Sequence, residues 1–319
     1  MDGMPHSPLI APETLLARLD DPVLRIADVR WWLADPGKGR RDYEAGHLPG
    51  AVFVDVDRDL VAPDGPGRHP LPDPPAFAER LASLGFDDSS DVVAYDDAGG
   101  TIAARLWWML DSLGHRRVRL LDGGIQGWIA VGGPLSSEVR AYRPGHLTLR
   151  TTWSRTIDRE ALAGRLGTVA VIDARAPERY RGEVEPIDPV AGHIPTAHNV
   201  PTGGNLAPGG RLLDAGTLRD RYAPLGDQVI TTCGSGITAC HNALAMRVAG
   251  LPDPLLYPGS YSDWSRSGMP VATGDEPGEV PEALPAAGSS HEGEGAHGGE
   301  GSHGGEGSPE GAGSRDAAS

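Results

Sequence analysis

The sequence predicts an α/β protein built from two tandem copies of one domain, each a parallel sheet flanked by helices. The first observation behind this prediction is an internal repeat, because the segment that starts at Asp91, DVVAYDDAGGTIA, aligns without a gap on QVITTCGSGITAC, which contains Cys233. The second is that short apolar segments such as VVAY and VITT alternate with longer helical segments. This alternation is typical of parallel sheets covered by helices on both faces.

Three more matches follow the same order along the chain. IADVR matches VIDAR, GHLPGA matches GHIPTA, and VRLLDGGIQGW matches DPLLYPGSYSDW, at spacings close to that of the first match. The pairs Asp28/Arg30 and Asp173/Arg175 recur in both copies, which favours a structural ion pair in each copy over a role in chemistry. A duplicated domain explains all four matches.

Composition changes set the predicted domain boundaries. We expect an N-terminal domain over 8–142, a linker rich in polar residues over 143–157, and a C-terminal domain over 158–273. From residue 274 the chain turns to Gly, Glu, Ser and His, with a six-residue repeat of the HGGEGS type. Such a composition buries too little apolar area to offset the entropy of ordering, so we expect a disordered tail over 274–319.

The charge and the N-terminal segment exclude several classes of function. Lys and Arg number 28 against 44 Asp and Glu, a net charge of −16, which repels nucleic-acid phosphates and anionic lipids. The first residues lack the basic and apolar regions of a signal peptide, and no long apolar run follows. We therefore expect a cytoplasmic protein that binds neither nucleic acid nor membrane.

The chain has two cysteines, Cys233 and Cys240, without the spacing of a redox pair or a zinc site. The sequence thus predicts no disulfide framework, no metal and no organic cofactor. We expect Cys240, in the first turns of a helix, to be a core residue.

Cys233 is the candidate nucleophile. It lies where the strand VITT ends and a helix begins, within the loop Cys233-Gly234-Ser235-Gly236-Ile237-Thr238. Amides at a helix N-terminus point outward with partial positive charge, and glycines let a loop wrap its amides around an anion. The loop therefore predicts a reactive thiolate that can carry an anionic sulfur.

These motifs resemble the tandem-domain rhodanese-type sulfurtransferases over about residues 8–273. YEAGHLPGA, from Tyr43 to Ala51, is similar to the N-terminal signature of that family, and YPGSYSDW, from Tyr257 to Trp264, is similar to its C-terminal signature. The resemblance implies two rhodanese-like domains and transfer of sulfane sulfur through a persulfide on Cys233. It also implies that Gly234, Gly236, Ile237 and Thr238 contact the substrate as part of the cysteine-bearing loop.

The loop composition indicates the sulfur donor. CGSGIT resembles the loop of 3-mercaptopyruvate sulfurtransferases more than the CRKGVT loop of rhodaneses that prefer thiosulfate. Thiosulfate is a dianion that benefits from cationic side chains, and Gly234 and Ser235 supply none. The prediction is a sulfurtransferase that moves sulfur from 3-mercaptopyruvate to a thiol, such as a thioredoxin-like protein, or to cyanide.

Further site residues follow from the resemblance. It implies that Ser235 and His47 belong to a relay that assists deprotonation, with Asp42 or Asp35 as a candidate acid, although Ser235 also fits a capping role and His47 a structural hydrogen bond. Arg179 matches a substrate arginine whose planar fork suits a carboxylate. The second substrate arginine that the resemblance leads us to expect is absent, and Ile187 and Asp188 occupy that stretch.

The first copy has Asp96 where the second has Cys233, so it cannot form a persulfide and we expect it to be catalytically silent. Its expected contribution is one wall of a cleft between the domains. Two alternatives remain open: a thiosulfate:cyanide sulfurtransferase that uses the same cysteine, and a persulfide carrier or docking protein with slow turnover of small donors.

Overall fold

The computed structural model describes residues 7–283, which contain one parallel sheet for each sequence repeat. The first sheet has the strand order β1-β5-β4-β2-β3, and the second has the order β7-β6-β8-β9. All strand pairs are parallel. The strands are β1 (Leu9–Ile10), β2 (Leu24–Asp28), β3 (Val52–Phe53), β4 (Asp91–Tyr95), β5 (Val118–Leu121), β6 (Ala170–Asp173), β7 (Ala197–Asn199), β8 (Val229–Thr232) and β9 (Leu255–Leu256). The predicted α/β class with two parallel sheets is confirmed.

Helices connect the strands, as parallel crossovers require. Those of the first repeat are α1 (Pro12–Leu16), α2 (Lys38–Ala45), α3 (Val56–Asp59), α4 (Pro74–Ser83), α5 (Ala104–Ser112) and α6 (Gly124–Ala130). Those of the second repeat are α7 (Arg159–Ala163), α8 (Pro177–Tyr180), α9 (Ala215–Tyr222), α10 (Ala239–Val248) and α11 (Ser260–Arg266), with short 3-10 helices at Thr202–Asn205 and Ala223–Leu225.

Strands β4 and β8 occupy equivalent positions in the two repeats and position the loops that follow them. Both are interior strands of their sheets and are almost entirely buried, as their apolar sequences require. Each ends in a loop that leads into a helix, α5 after β4 and α10 after β8. Ligands of open α/β sheets bind at the carboxyl ends of the strands, so these loops occupy the positions where a site is expected.

The two repeats share a continuous apolar core. Helices α5 and α10 pack against each other, and one cluster of buried side chains includes Trp107 of α5 together with Cys240 and Leu244 of α10. Cys240 is fully buried, as predicted. Ion pairs reinforce this contact, because Oδ2 of Asp111 on α5 lies 2.5 Å from Arg155 Nη2 and 3.0 Å from Arg247 Nη2.

The recurring Asp/Arg pairs lie in equivalent places in the two sheets. Arg30 reaches Asp28 at 2.6 Å, and Arg175 reaches Asp173 at 2.6 Å, with both carboxylates fully buried at the ends of their strands. Each arginine also donates to a backbone carbonyl, that of Gly46 or Gly192. The predicted ion pair is therefore present in each repeat.

The first part of the segment predicted to be disordered lies on the second repeat. Thr196 N donates to Pro277 O, Gly274 N donates to Arg181 O, and Val280 covers Gly167. Residues 274–280 therefore contact the second repeat, and the disorder of the tail stays a prediction. The remainder of the predicted tail, 284–319, lies outside the described residues. Within 7–283, no helix combines the length and the apolar character needed to span a membrane.

Candidate active site

Cys233 follows β8 directly, and its loop, residues 233–238, leads into α10. We call this segment the cysteine loop. The thiol is 2% exposed, and its Sγ accepts hydrogen bonds from the amides of Ser235 at 3.4 Å and Gly236 at 3.1 Å. These amides and the start of α10 direct partial positive charge at the sulfur, an arrangement that stabilises a thiolate or a persulfide.

Hydrogen bonds to the start of α11 fix the backbone of the cysteine loop. Tyr261 N donates to Cys233 O, Ser262 N donates to Gly234 O, and Ser260 Oγ accepts from Cys233 N at 3.2 Å. Gly236 has a φ of +79°, and a Cβ there would lie 2.4 Å from Pro258 O. Glycine is therefore required at residue 236, both for its conformation and for the close approach of the backbone.

A cavity of about 270 Å³ opens above the sulfur. It lies between the repeats: Trp31, Leu33, Arg68 and His69 line it from the first, and Cys233, Gly234, Ser235, Ile237, Thr238 and Arg179 line it from the second. Drug-sized ligands occupy about 300–1,000 Å³, so this cavity suits a donor with few atoms.

Ser235 contacts His69, which belongs to the first repeat. Ser235 Oγ lies 2.7 Å from His69 Nδ1, and His69 Nε2 lies 3.9 Å from Asp57 Oδ1. Trp31 packs edge-on against the His69 ring and donates from Nε1 to Asp57 Oδ2 at 2.8 Å. Ser235, His69 and Asp57 thus place a hydroxyl, an imidazole and a carboxylate in series beside Cys233, and Trp31 contacts the last two of them.

His69 is uncharged at neutral pH. Burial lowers its pKa to about 4, and the nearby Arg105 and Arg68 guanidinium groups act in the same direction. A neutral imidazole has one nitrogen free to accept a proton, so His69 can act as a base toward Ser235 Oγ.

His47 does not join this group, which corrects the relay expected from the sequence. Its ring is fully buried, with Nδ1 2.6 Å from Tyr43 O and Nε2 3.0 Å from Glu138 O, and it stacks on Tyr43. His193 repeats this arrangement on Tyr180 in the second repeat. The histidine of the GHLPGA motif therefore stabilises each domain, and both ring nitrogens of His47 are occupied.

The candidate acids Asp42 and Asp35 are also occupied elsewhere. Asp42 pairs with Lys38 on α2, and Asp35 pairs with Arg41 at 2.5 Å. Asp57 stands in their place, next to His69.

The structure brings the remaining predicted residues together around Cys233. Arg179 lines the cavity and is held by Glu185, whose Oε1 lies 2.7 Å from Nη2. Gly234 lies beneath it, since a Cβ on Gly234 would be 3.5 Å from Arg179 Nη1. Ile237 and Thr238 form part of the wall, whereas Gly236 contributes its amide to the sulfur.

Asp96 occupies the position equivalent to Cys233, after β4. Its carboxylate is fully buried and accepts 2.8 Å hydrogen bonds from four backbone amides, those of Ala98, Gly100, Ile102 and Ala103. The first repeat thus keeps an amide cradle for an anion, but its own carboxylate fills the cradle.

Sequence reasoning missed several side chains that the first repeat supplies. His69 and Arg68 come from the irregular segment DGPGRHP, where no periodic pattern marks them. Arg105 had a detectable signal, because it is the one charged residue between Ala103 and Leu110 in an apolar helical run. It is fully buried, and its Nη1 donates to Gly236 O and its Nη2 to His69 O, both at 2.9 Å.

Comparison with known proteins identifies relatives of the whole arrangement. The model of the rhodanese-like domain matches this chain twice, over residues 11–131 and 158–267. A Pseudomonas aeruginosa protein named "Probable 3-mercaptopyruvate sulfurtransferase" is 46% identical over 284 residues, covering 85% of this chain and all of that protein. The thiosulfate sulfurtransferase of Rattus norvegicus is 34% identical over 262 residues, covering 78% of this chain and 87% of that protein.

Solved structures agree with the sequence matches. The 3-mercaptopyruvate sulfurtransferase from Leishmania major superposes with a TM-score of 0.72 at 29% identity, covering 81% of this chain and 74% of that chain. The similarity therefore spans both repeats, and the family match over 158–267 contains Cys233.

Proposed function

Since this chain belongs to the rhodanese family of sulfurtransferases, we propose that it transfers sulfane sulfur from 3-mercaptopyruvate through a persulfide on Cys233. The observation that carries the proposal is the cysteine loop, where Sγ sits among backbone amides at the floor of a small cavity with Arg179 on its wall. The loop itself holds no cationic side chain, and the charges of Arg68 and Arg179 on the cavity wall are offset by Asp188 and Glu185, which favours a monoanionic donor over thiosulfate.

The proposed transfer has two steps. The Cys233 thiolate attacks the sulfur of 3-mercaptopyruvate, so an S–S bond forms as the C–S bond breaks, and the proton of the donor thiol ends on the methyl carbon of pyruvate. The terminal sulfur of the persulfide then passes to an acceptor. With cyanide as acceptor, thiocyanate leaves and the thiolate is restored, and with a thiol the acceptor becomes a persulfide.

We assign the proton transfers to Ser235 and His69. In the first step a proton must leave the donor thiol and reach the carbon that loses sulfur. The Ser235 hydroxyl, which belongs to the cavity lining and contacts neutral His69, is a group that can accept that proton and return it. Asp57 Oδ1 lies 3.9 Å from His69 Nε2, which is beyond hydrogen-bond distance, so we assign it no proton transfer.

The decisive experiment for the donor compares kcat/KM for 3-mercaptopyruvate and thiosulfate with cyanide as the common acceptor. We expect a preference for 3-mercaptopyruvate of about tenfold or more, which corresponds to about 1.4 kcal/mol in the transition state. A preference for thiosulfate would favour the rhodanese alternative, and negligible rates with both donors would favour a persulfide carrier.

His69→Asn is expected to lower kcat with 3-mercaptopyruvate by about 10²- to 10⁴-fold, the usual contribution of a general acid-base group. The matched control is His47→Asn, which removes the equally buried histidine outside the cavity. We expect His47→Asn to lower Tm but to keep kcat per folded molecule near that of the wild type. The reverse ranking of kcat would contradict the assignment of His69. In the wild type, the relay is expected to fail only as the pH approaches about 4, where His69 becomes protonated.

Several parts of the proposal rest on the sequence. The N-terminal repeat is proposed to be catalytically silent, which is supported by the carboxylate of Asp96 in its cradle. The acceptor, a thioredoxin-like protein or cyanide, and the cytoplasmic location remain predictions.

A further inference from the structure

Two guanidinium groups from different repeats converge beside Cys233. A Cβ placed on Gly234 would lie 2.9 Å from Arg68 Nη2 and 3.5 Å from Arg179 Nη1. Both arginines line the cavity above the sulfur. The pair thus forms a cationic wall directly over the residue that follows the nucleophile, and Gly234 provides the space for it.

Buried carboxylates bind both arginines through guanidinium nitrogens other than the two that lie over Gly234. Glu185 accepts from Nε and Nη2 of Arg179, and Asp188 accepts from Nη1 of Arg68, with Arg179 Nη2 at 3.4 Å. The side chain of Asp188 is fully buried and that of Glu185 is 3% exposed. Two fixed anions therefore aim the guanidinium groups in one direction.

One amino group of each arginine remains without a partner. Within the part of the chain that the structure describes, neither Arg68 Nη2 nor Arg179 Nη1 has a hydrogen-bond acceptor, and these are the two atoms that lie over Gly234. Arg68 Nε is also buried without a partner. Guanidinium N–H groups that open onto a cavity next to Cys233 are suited to an oxyanion.

The backbone of Arg68 is fixed to the elements that hold the cysteine loop. Arg68 N donates to Ser262 Oγ at 3.0 Å, and Ser262 N donates to Gly234 O at 2.9 Å. The preceding Gly67 has a φ of +78°, and a Cβ there would lie 2.4 Å from Gly259 O. Only glycine permits this contact, so Arg68 has a set position relative to Cys233 despite belonging to the other repeat.

We infer that Arg68 binds the oxyanion of the sulfur donor jointly with Arg179, so that the N-terminal repeat supplies a residue that determines donor specificity. The inference rests on the proposed function, because it requires that an anionic donor enter this cavity. Arg68 Nη2 and Arg179 Nη1 each donate a hydrogen bond to an oxygen of the donor. In 3-mercaptopyruvate this oxygen belongs to the carboxylate. The sulfur of the donor is then directed toward Cys233.

The test is steady-state kinetics of Arg68→Met with 3-mercaptopyruvate and, separately, thiosulfate as donor and cyanide as acceptor. Losing one charge-assisted hydrogen bond is expected to raise the KM for the donor by about 10- to 100-fold. The kcat is expected to change little, because the oxyanion is bound equally before and during sulfur transfer. Arg68→Lys keeps the positive charge without the planar guanidinium group, and its KM for the donor is expected to lie between those of Arg68→Met and the wild type. A rise in KM for thiosulfate alone would assign Arg68 to that donor.

Two further variants separate binding from structure. Arg68→Met/Asp188→Asn removes the carboxylate that Arg68→Met would leave without its main partner, and it is expected to keep the raised KM. Arg155→Met breaks the ion pairs with Asp111 and Asp253 between the repeats but away from the cavity, and it is expected to leave KM unchanged.

Cyanolysis of a preformed Cys233 persulfide provides the last readout, because this step involves no donor. We expect the rate of this step to change much less in Arg68→Met than the KM for the donor does. An unchanged donor KM in Arg68→Met, with an active wild type, would overturn the inference and leave the proposed function intact. A wild type that takes sulfur from neither donor would overturn the proposed function itself.

Discussion

Cys233→Ser is expected to abolish sulfur transfer from 3-mercaptopyruvate and from thiosulfate. A serine hydroxyl at residue 233 is not ionised at neutral pH and cannot hold a sulfane sulfur, so no persulfide forms. The measurements are thiocyanate release with cyanide as acceptor and the intact mass after incubation with donor. The wild type is expected to gain the mass of one sulfur atom, and the variant none.

Cys240→Ser is the matched control for this substitution. Cys240 lies seven residues further along and is fully buried, where burial raises the pKa of its thiol to about 12. Its Sγ donates weakly to Gly236 O, a contact that a serine hydroxyl can replace. We expect this variant to keep both the transfer rate and the mass gain. Loss of the mass gain in Cys240→Ser but not in Cys233→Ser would refute the assignment of the nucleophile.

The sequence was sufficient to predict the fold and the backbone environment of Cys233, because both depend on local patterns. Apolar strands alternate with helices along each repeat, and Cys233 is flanked by a strand, by glycines and by a helix start. The environment of the sulfur follows directly from this local order, since the amides of Ser235 and Gly236 are its nearest donors.

The partners of the nucleophile could not be predicted from such patterns. His69 lies 166 residues from Ser235 in the sequence, and their contact exists only because the two repeats pack together. His47 stands in a conspicuous motif, yet the same motif in the second repeat places His193 in the same stacked arrangement. Recurrence in both repeats is therefore a sign of a structural role, whereas His69 and Arg179 serve one repeat only.

Arg105→Met is expected to cause the second large loss of activity, although Arg105 does not line the cavity. The guanidinium of Arg105 is fully buried, and within residues 7–283 it forms no ion pair with a carboxylate. Burial lowers its pKa, and the groups that oppose this shift are Cys240 and Cys233. A guanidinium stays protonated in proteins, so its charge is compensated best when the sulfur on Cys233 is anionic.

The hydrogen bonds of Arg105 add a geometric contribution. Nη1 holds the carbonyl of Gly236 in the cysteine loop, and Nη2 holds the carbonyl of His69. Arg105, a side chain of the first repeat, thus fixes both the cysteine loop and the backbone of His69. The Gly236 carbonyl and the Ile237 N–H belong to the same trans peptide and point in opposite directions. The hydrogen bond from Arg105 to Gly236 O therefore also sets the direction of the Ile237 N–H.

We expect Arg105→Met to lower kcat/KM with 3-mercaptopyruvate by about 10²-fold or more, since a buried charge contact and two hydrogen bonds are lost together. Alkylation of Cys233 by iodoacetamide at a fixed pH is expected to be slower in this variant, a change that a purely structural role would not produce. Arg105→Lys preserves the charge but not both hydrogen bonds, so it is expected to retain the alkylation rate better than the rate of sulfur transfer. If Arg105→Met lowers Tm but leaves the alkylation rate unchanged, the charge of Arg105 does not act on Cys233, and its role is limited to joining the two repeats.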